Sequence, residues 1–145
     1  MKIRTLFMAA LALGLFAVPA RAQQLEQVMR QFAGAWRDNN DKALAAMIAR
    51  DGASIETPAG RLGPLGPRQA AAVFRMLFEE RATQNVSTRQ VQEVGGTPQK
   101  AYAEVIWTST MRETTQSSRV IVFVELVREQ ERNWRVTRIR LIVPE

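Results

Sequence analysis

Two periods divide the chain: from Leu25 to Ala82 the apolar residues recur at helical spacing, and from Ser87 to Val143 they alternate. Leu25, Val28, Met29, Phe32 and Trp36 mark the apolar stripe of a first helix, with Glu26 and Arg30 as an i,i+4 pair on its exposed side. Asp38-Asn39-Asn40 breaks that pattern. Asn40 is suited to cap a second helix whose stripe is Ala43, Leu44, Met47 and Ile48, and Asp51-Gly52 ends it with a turn. Ala53 to Thr57 reads as a short strand around Ile55, and the Pro- and Gly-rich stretch from Pro58 to Pro67 reads as a loop. Pro67 opens a third helix of about 15 residues that buries Ala70, Phe74, Leu77, Phe78 and Ala82.

The second half predicts strands at Ser87 to Val94, Lys100 to Glu113, Ser118 to Glu129 and Asn133 to Val143. Turns at Gly95-Gly96-Thr97-Pro98 and Glu129 to Arg132 join them, so the strands pair as an antiparallel meander. Between Lys100 and Glu113 the odd positions Ala101, Ala103, Val105, Trp107 and Met111 are apolar, and the even ones are mostly polar. The next strand is apolar on both faces, with Val120, Val122, Val124 and Leu126 on one and Ile121, Phe123 and Val127 on the other. Helices are expected to cover the first face and a second copy of the chain the other. In the last strand Trp134 and Val136 share one parity and Ile139, Leu141 and Val143 the opposite one. A β-bulge near Thr137-Arg138 brings all five to one face and bends the strand. The expected class is α+β, with three N-terminal helices packed on a strongly curved, mostly antiparallel sheet.

The N-terminus changes the picture of where the protein acts. Lys2 and Arg4 precede an uncharged run from Leu6 to Val18 and then Ala20-Arg21-Ala22, which is the pattern of a signal peptide cleaved after Ala22. The run is too short for a retained anchor, since a bilayer needs roughly 20 apolar residues, so no stable membrane insertion is expected. Residues 1–22 are read as signal and 23–145 as one domain, exported to the periplasm or secreted. Loss of Lys2, Arg4 and Arg21 takes the 20 basic residues to 17 against 14 acidic ones, a net charge of +3, which gives a nucleic-acid role little support.

The sequence contains neither cysteine nor histidine. Disulfides, thiolate nucleophiles, histidine-ligated zinc and histidine acid-base chemistry are therefore excluded. No metal-loop spacing and no phosphate-binding glycine turn is present, and no cofactor is expected.

Ala35-Trp36 ahead of Asn40 and Ala43-Leu44, Pro58-Ala59-Gly60, Gly66 before the third helix, Phe74, and Trp134-Arg135-Val136 together resemble the nuclear transport factor 2-like superfamily. That superfamily includes SnoaL-like polyketide cyclases and ketosteroid isomerases. The resemblance spans essentially all of residues 23–145 and implies a cone-shaped α+β barrel. Related sequences often carry Asp where this chain has Asn40. Enzymes of the superfamily commonly use Asp, His or Tyr in the cone, whereas here Tyr102 is the only tyrosine and matches no active-site motif.

A cone closed by helices makes Phe32, Trp36, Phe74, Phe78 and Trp107 the candidate ligand-lining residues, although for each of them core packing is the favoured account, because an aromatic stripe at helical spacing needs no ligand to explain it. Glu56 and Glu104 lie inside strands and are the candidate carboxylates for acid-base work, but their parity turns them outward. Arg128, Arg132, Arg135, Arg138 and Arg140 gather near the last hairpin among Glu125, Glu129, Glu131 and Glu145, which reads as a salt-bridged surface. The expected function is an exported homodimeric domain that binds a small apolar or amphipathic molecule, or a partner protein, without evident catalysis. The alternatives are an isomerase, dehydratase or cyclase using one carboxylate, and a structural homodimer with a filled cone.

Overall fold

The computed structural model describes residues 20–130 and 133–144, with side chains from Gln24 onward. The expected signal segment lies outside the described residues except for Ala20 to Ala22, which form the first turn of helix α1, Ala20–Arg37. No described helix is long and apolar enough to cross a membrane. After α1 come α2 (Asp41–Ala45), β1 (Ala53–Thr57), β2 (Gly60–Leu65), α3 (Pro67–Glu80), β3 (Arg81–Val94), β4 (Lys100–Met111), β5 (Ser117–Glu129) and β6 (Asn133–Ile142). One six-stranded sheet has the order β2-β1-β6-β5-β4-β3; every pair is antiparallel except β1 with β6. The sheet curves around the helices, as expected of the α+β cone.

The apolar stripe of α1 lies against the concave face, where Leu25, Met29, Phe32, Ala33 and Trp36 are buried with Val105, Trp107, Val122 and Val124. Asn40 caps α2 by accepting the Ala43 amide at 3.0 Å. The helix stops at Ala45, short of the expected Asp51-Gly52, because the segment behind it pairs with β6. Ala49 N–H donates to the Val136 carbonyl and Val136 N–H to the Met47 carbonyl, each at 2.8 Å.

Two further boundaries differ from the sequence pattern. The stretch expected as a loop contains β2, which forms a hairpin with β1 around Pro58-Ala59. Gly63 has φ +117°, and a Cβ there would meet the Ala53 carbonyl oxygen at 2.9 Å, so glycine is what lets β2 lie against β1. The first strand of the meander starts at Arg81 rather than Ser87. Ala82, which extends the helical stripe of α3 on paper, belongs to β3 and pairs with Thr110. No Gly or Pro marks this helix-to-strand step, and the long β4 supplies the partner that makes the backbone extend.

The phase slip in β6 is resolved as expected. Glu125 pairs with Arg138 and Leu126 with Val136, leaving Thr137 as the extra residue, its hydroxyl donating to the Glu125 carbonyl at 3.2 Å. Trp134 and Val136 before the bulge and Ile139 and Leu141 after it are all buried, while Val143 lies beyond the strand and is exposed.

Candidate functional site

α1, α3 and β4 bring the five candidate ligand-lining residues into one cluster centred on Trp36. Its ring centroid is 5.6 Å from Phe32, 5.9 Å from Phe74, 5.4 Å from Phe78 and 5.3 Å from Trp107, the last three in edge-on contact. All five are buried. Trp107 has a polar tether: its indole Nε1–H donates to Thr83 Oγ1 at 3.0 Å, and the Thr83 hydroxyl donates to Asn39 Oδ1 at 2.9 Å. The Trp36 indole N–H is buried with no hydrogen-bond partner.

Beside this packed cluster the concave face opens into a cleft of about 240 Å³ between the C-terminal half of α3, the β1–β2 turn and the ends of β5 and β6. Met76, Leu77, Val120, Leu141 and Val143 give it apolar walls, Thr57 to Ala59 form one rim, and Glu80 and Arg81 form the other. Leu77, Val120 and Leu141 are core residues with at most 7% exposure, whereas Met76 is 45% exposed, so the cleft runs from the core to the surface. Arg81 reaches it from the α3-to-β3 junction. Its Nη1 donates to Ser118 Oγ at 2.9 Å and to Ser109 Oγ at 3.5 Å, and its guanidinium carbon lies 6.0 Å from the Trp107 ring centroid.

Both candidate carboxylates sit on the convex face, and neither lines this cleft. Glu56 pairs in register with Arg140 and is ringed by Arg61, Arg138 and Arg140 at 3.7, 3.8 and 3.5 Å. Glu104 takes a 2.8 Å ion pair from Arg89. Tyr102 is on the same face and stacks on Phe123 with centroids 5.6 Å apart. No group of three or more acidic residues able to hold a metal occurs among the described residues.

Sequence periodicity alone does not single out Arg81, Met76, Leu77, Val120 and Leu141 as lining a common cleft. Along the chain the apolar four have no mark that separates them from other helix and strand positions, and Arg81 stands on no apolar face.

Helices on the concave side of a bulged six-stranded sheet with this strand order define the nuclear transport factor 2-like cone fold. Solved structures of similar shape match this chain at low sequence identity. A ketosteroid isomerase-like protein from Erwinia carotovora atroseptica superposes with a TM-score of 0.68 at 16% identity, covering 88% of this chain and 99% of its own. A DUF4783 family protein from Bacteroides uniformis gives 0.67 at 13%, covering 81% and 98%. A domain of unknown function with a cystatin-like fold from Nostoc punctiforme gives 0.66 at 18%, covering 89% and 80%. No protein-family model and no curated protein matches the sequence.

Proposed function

We propose that this chain is an exported domain that binds a small molecule with an apolar body in the cleft between α3 and the ends of β5 and β6, and does not turn it over. The cleft carries the reading: core residues Leu77, Val120 and Leu141 line an opening that the aromatic cluster leaves unfilled. Against the enzyme alternative, Glu56 and Glu104 do not line the cleft and are held by arginines on the opposite face of the sheet. The filled-cone alternative describes the aromatic half of the cone, where the five rings pack on one another. 1-Decanol is a suitable uncharged probe. It should raise the melting temperature and perturb Trp107 fluorescence, and Met76→Glu, at an exposed wall position, should abolish both effects. Binding that survives Met76→Glu argues against the cleft. Loss of any observed turnover in Glu56→Gln or Glu104→Gln, with binding intact, restores the enzyme reading.

The same proposal includes pairing of two chains through the convex face. There Ile106, Ile121 and Ile142 form one cross-strand row and Glu104, Phe123 and Arg140 the next. Ile121, Phe123 and Val127 remain half-buried in the single chain. A two-fold axis along β5 sets Glu104 of one copy opposite Arg140 of the other and Ile106 opposite Ile142, so the face is complementary to itself.

A further inference from the structure

Arg81 differs from the ion-paired and main-chain-bound arginines. Arg61, Arg89, Arg138 and Arg140 each pair with a carboxylate, and Arg37, Arg112 and Arg135 donate to main-chain carbonyls. Among the described residues no carboxylate pairs with Arg81. Its contacts are two serine hydroxyls and the face of Trp107. Ser109, entirely buried, and Ser118 hold Nη1 of Arg81 and leave its other N–H groups unspent on them. A guanidinium without a carboxylate partner at the rim of an apolar cleft is the complement of an oxyanion attached to an apolar body.

We infer that Arg81, with Ser109 and Ser118 positioning it, is the anchor for the head group of a small amphipathic monocarboxylate whose tail lies along Met76, Leu77, Val120 and Leu141. This rests on the cleft reading above and narrows its ligand class. The cleft volume, about 240 Å³, lies below the usual 300–1,000 Å³ of ligand pockets, which fits a short single-tailed molecule. A single negative charge is favoured over a dianion. Glu80 shares the rim with Arg81, and the carbonyl end of α3 carries partial negative charge at the same place, so a bound anion gains one guanidinium but meets two sources of repulsion that grow with its charge. Trp107 contributes through its ring face, over which the guanidinium carbon lies, and is itself fixed by the bond to Thr83.

The experiment compares decanoate, 1-decanol and decyl phosphate on the wild-type chain by calorimetry, followed by Arg81→Gln and Ser118→Ala. Decanoate is expected to bind at least about tenfold more tightly than decanol, the scale of one charge-assisted contact, and more tightly than decyl phosphate. Arg81→Gln should remove the advantage of decanoate while leaving decanol binding in place, which also shows that the variant is folded. Ser118→Ala should reduce that advantage several-fold. Equal binding of decanoate and decanol to the wild type overturns the head-group assignment but leaves the cleft standing. Failure of all three probes to bind overturns both. Tighter binding of decyl phosphate overturns the preference for a single charge.

Discussion

Two tryptophans at the centre of the cone do different work although both are buried. Trp107 spends its N–H on Thr83, which in turn binds Asn39 in a left-handed backbone conformation (φ 52°) at the end of α1. Trp36 fills more of the aromatic contact surface but leaves its N–H unpaired. Replacing either by Phe removes volume, yet only Trp107→Phe also breaks a hydrogen-bonded chain that joins α1, β3 and β4. Trp107→Phe is therefore expected to cost about 1 kcal/mol more than Trp36→Phe in denaturant unfolding. A larger loss for Trp36→Phe would mean that ring packing, and not the polar tether, dominates there. At this scale the sequence revealed the residue types and their burial. It did not reveal the partner of the Trp107 indole, because Thr83 and Asn39 are far from Trp107 along the chain.

Among the elements, the glycines separate local propensity from tertiary constraint. Gly34 lies inside α1 with nothing within 4 Å of an added Cβ, so Gly34→Ala is expected to stabilise the protein by about 0.5–1 kcal/mol. Gly63 sits at φ +117° against the β1 backbone, and Gly63→Ala is expected to destabilise it by about 1–3 kcal/mol. Thermal unfolding of the two variants checks the contrast; equal and opposite small shifts would mean that β2 is free to move away from β1. Both glycines look alike in the sequence, and the second falls in a stretch that composition assigns to a loop. The bulge at Thr137 was legible because two apolar runs of opposite parity can share one face of a strand only if an extra residue lies between them. The start of β3 at Arg81 was not, since polar residues on an exposed edge strand leave no periodic trace.

For the whole molecule, the proposed pairing through the convex face is open to a charge-swap test. Sedimentation at tens of micromolar is expected to give two chains, and Glu104→Arg or Arg140→Glu alone is expected to weaken the dimer by about tenfold or more. The double variant should recover it, because each reversed charge meets the other across the two-fold axis. A monomeric wild type, or a double variant weaker than either single one, rejects that arrangement. Export is tested separately: intact-mass measurement of the protein outside the cytoplasm is expected to give a chain beginning at Gln23, and a species retaining Met1 in the membrane fraction counts against cleavage.

The sequence by itself determined the α+β class, the three helices, the capping of α2 by Asn40, the order of the long strands and the bend in β6. Each of these follows from local spacing, and spacing is a property of the chain. Tertiary structure alone decided the parallel pairing of β1 with β6, the ring of arginines around Glu56, the closed packing of the five aromatic residues and the cleft beside them. Arg81 shows why. Its partners Ser109 and Ser118 lie on two other strands, and the apolar walls come from α3, β5 and β6. A site assembled from separate elements depends on how a curved sheet closes on its helices, which no single stretch of sequence encodes.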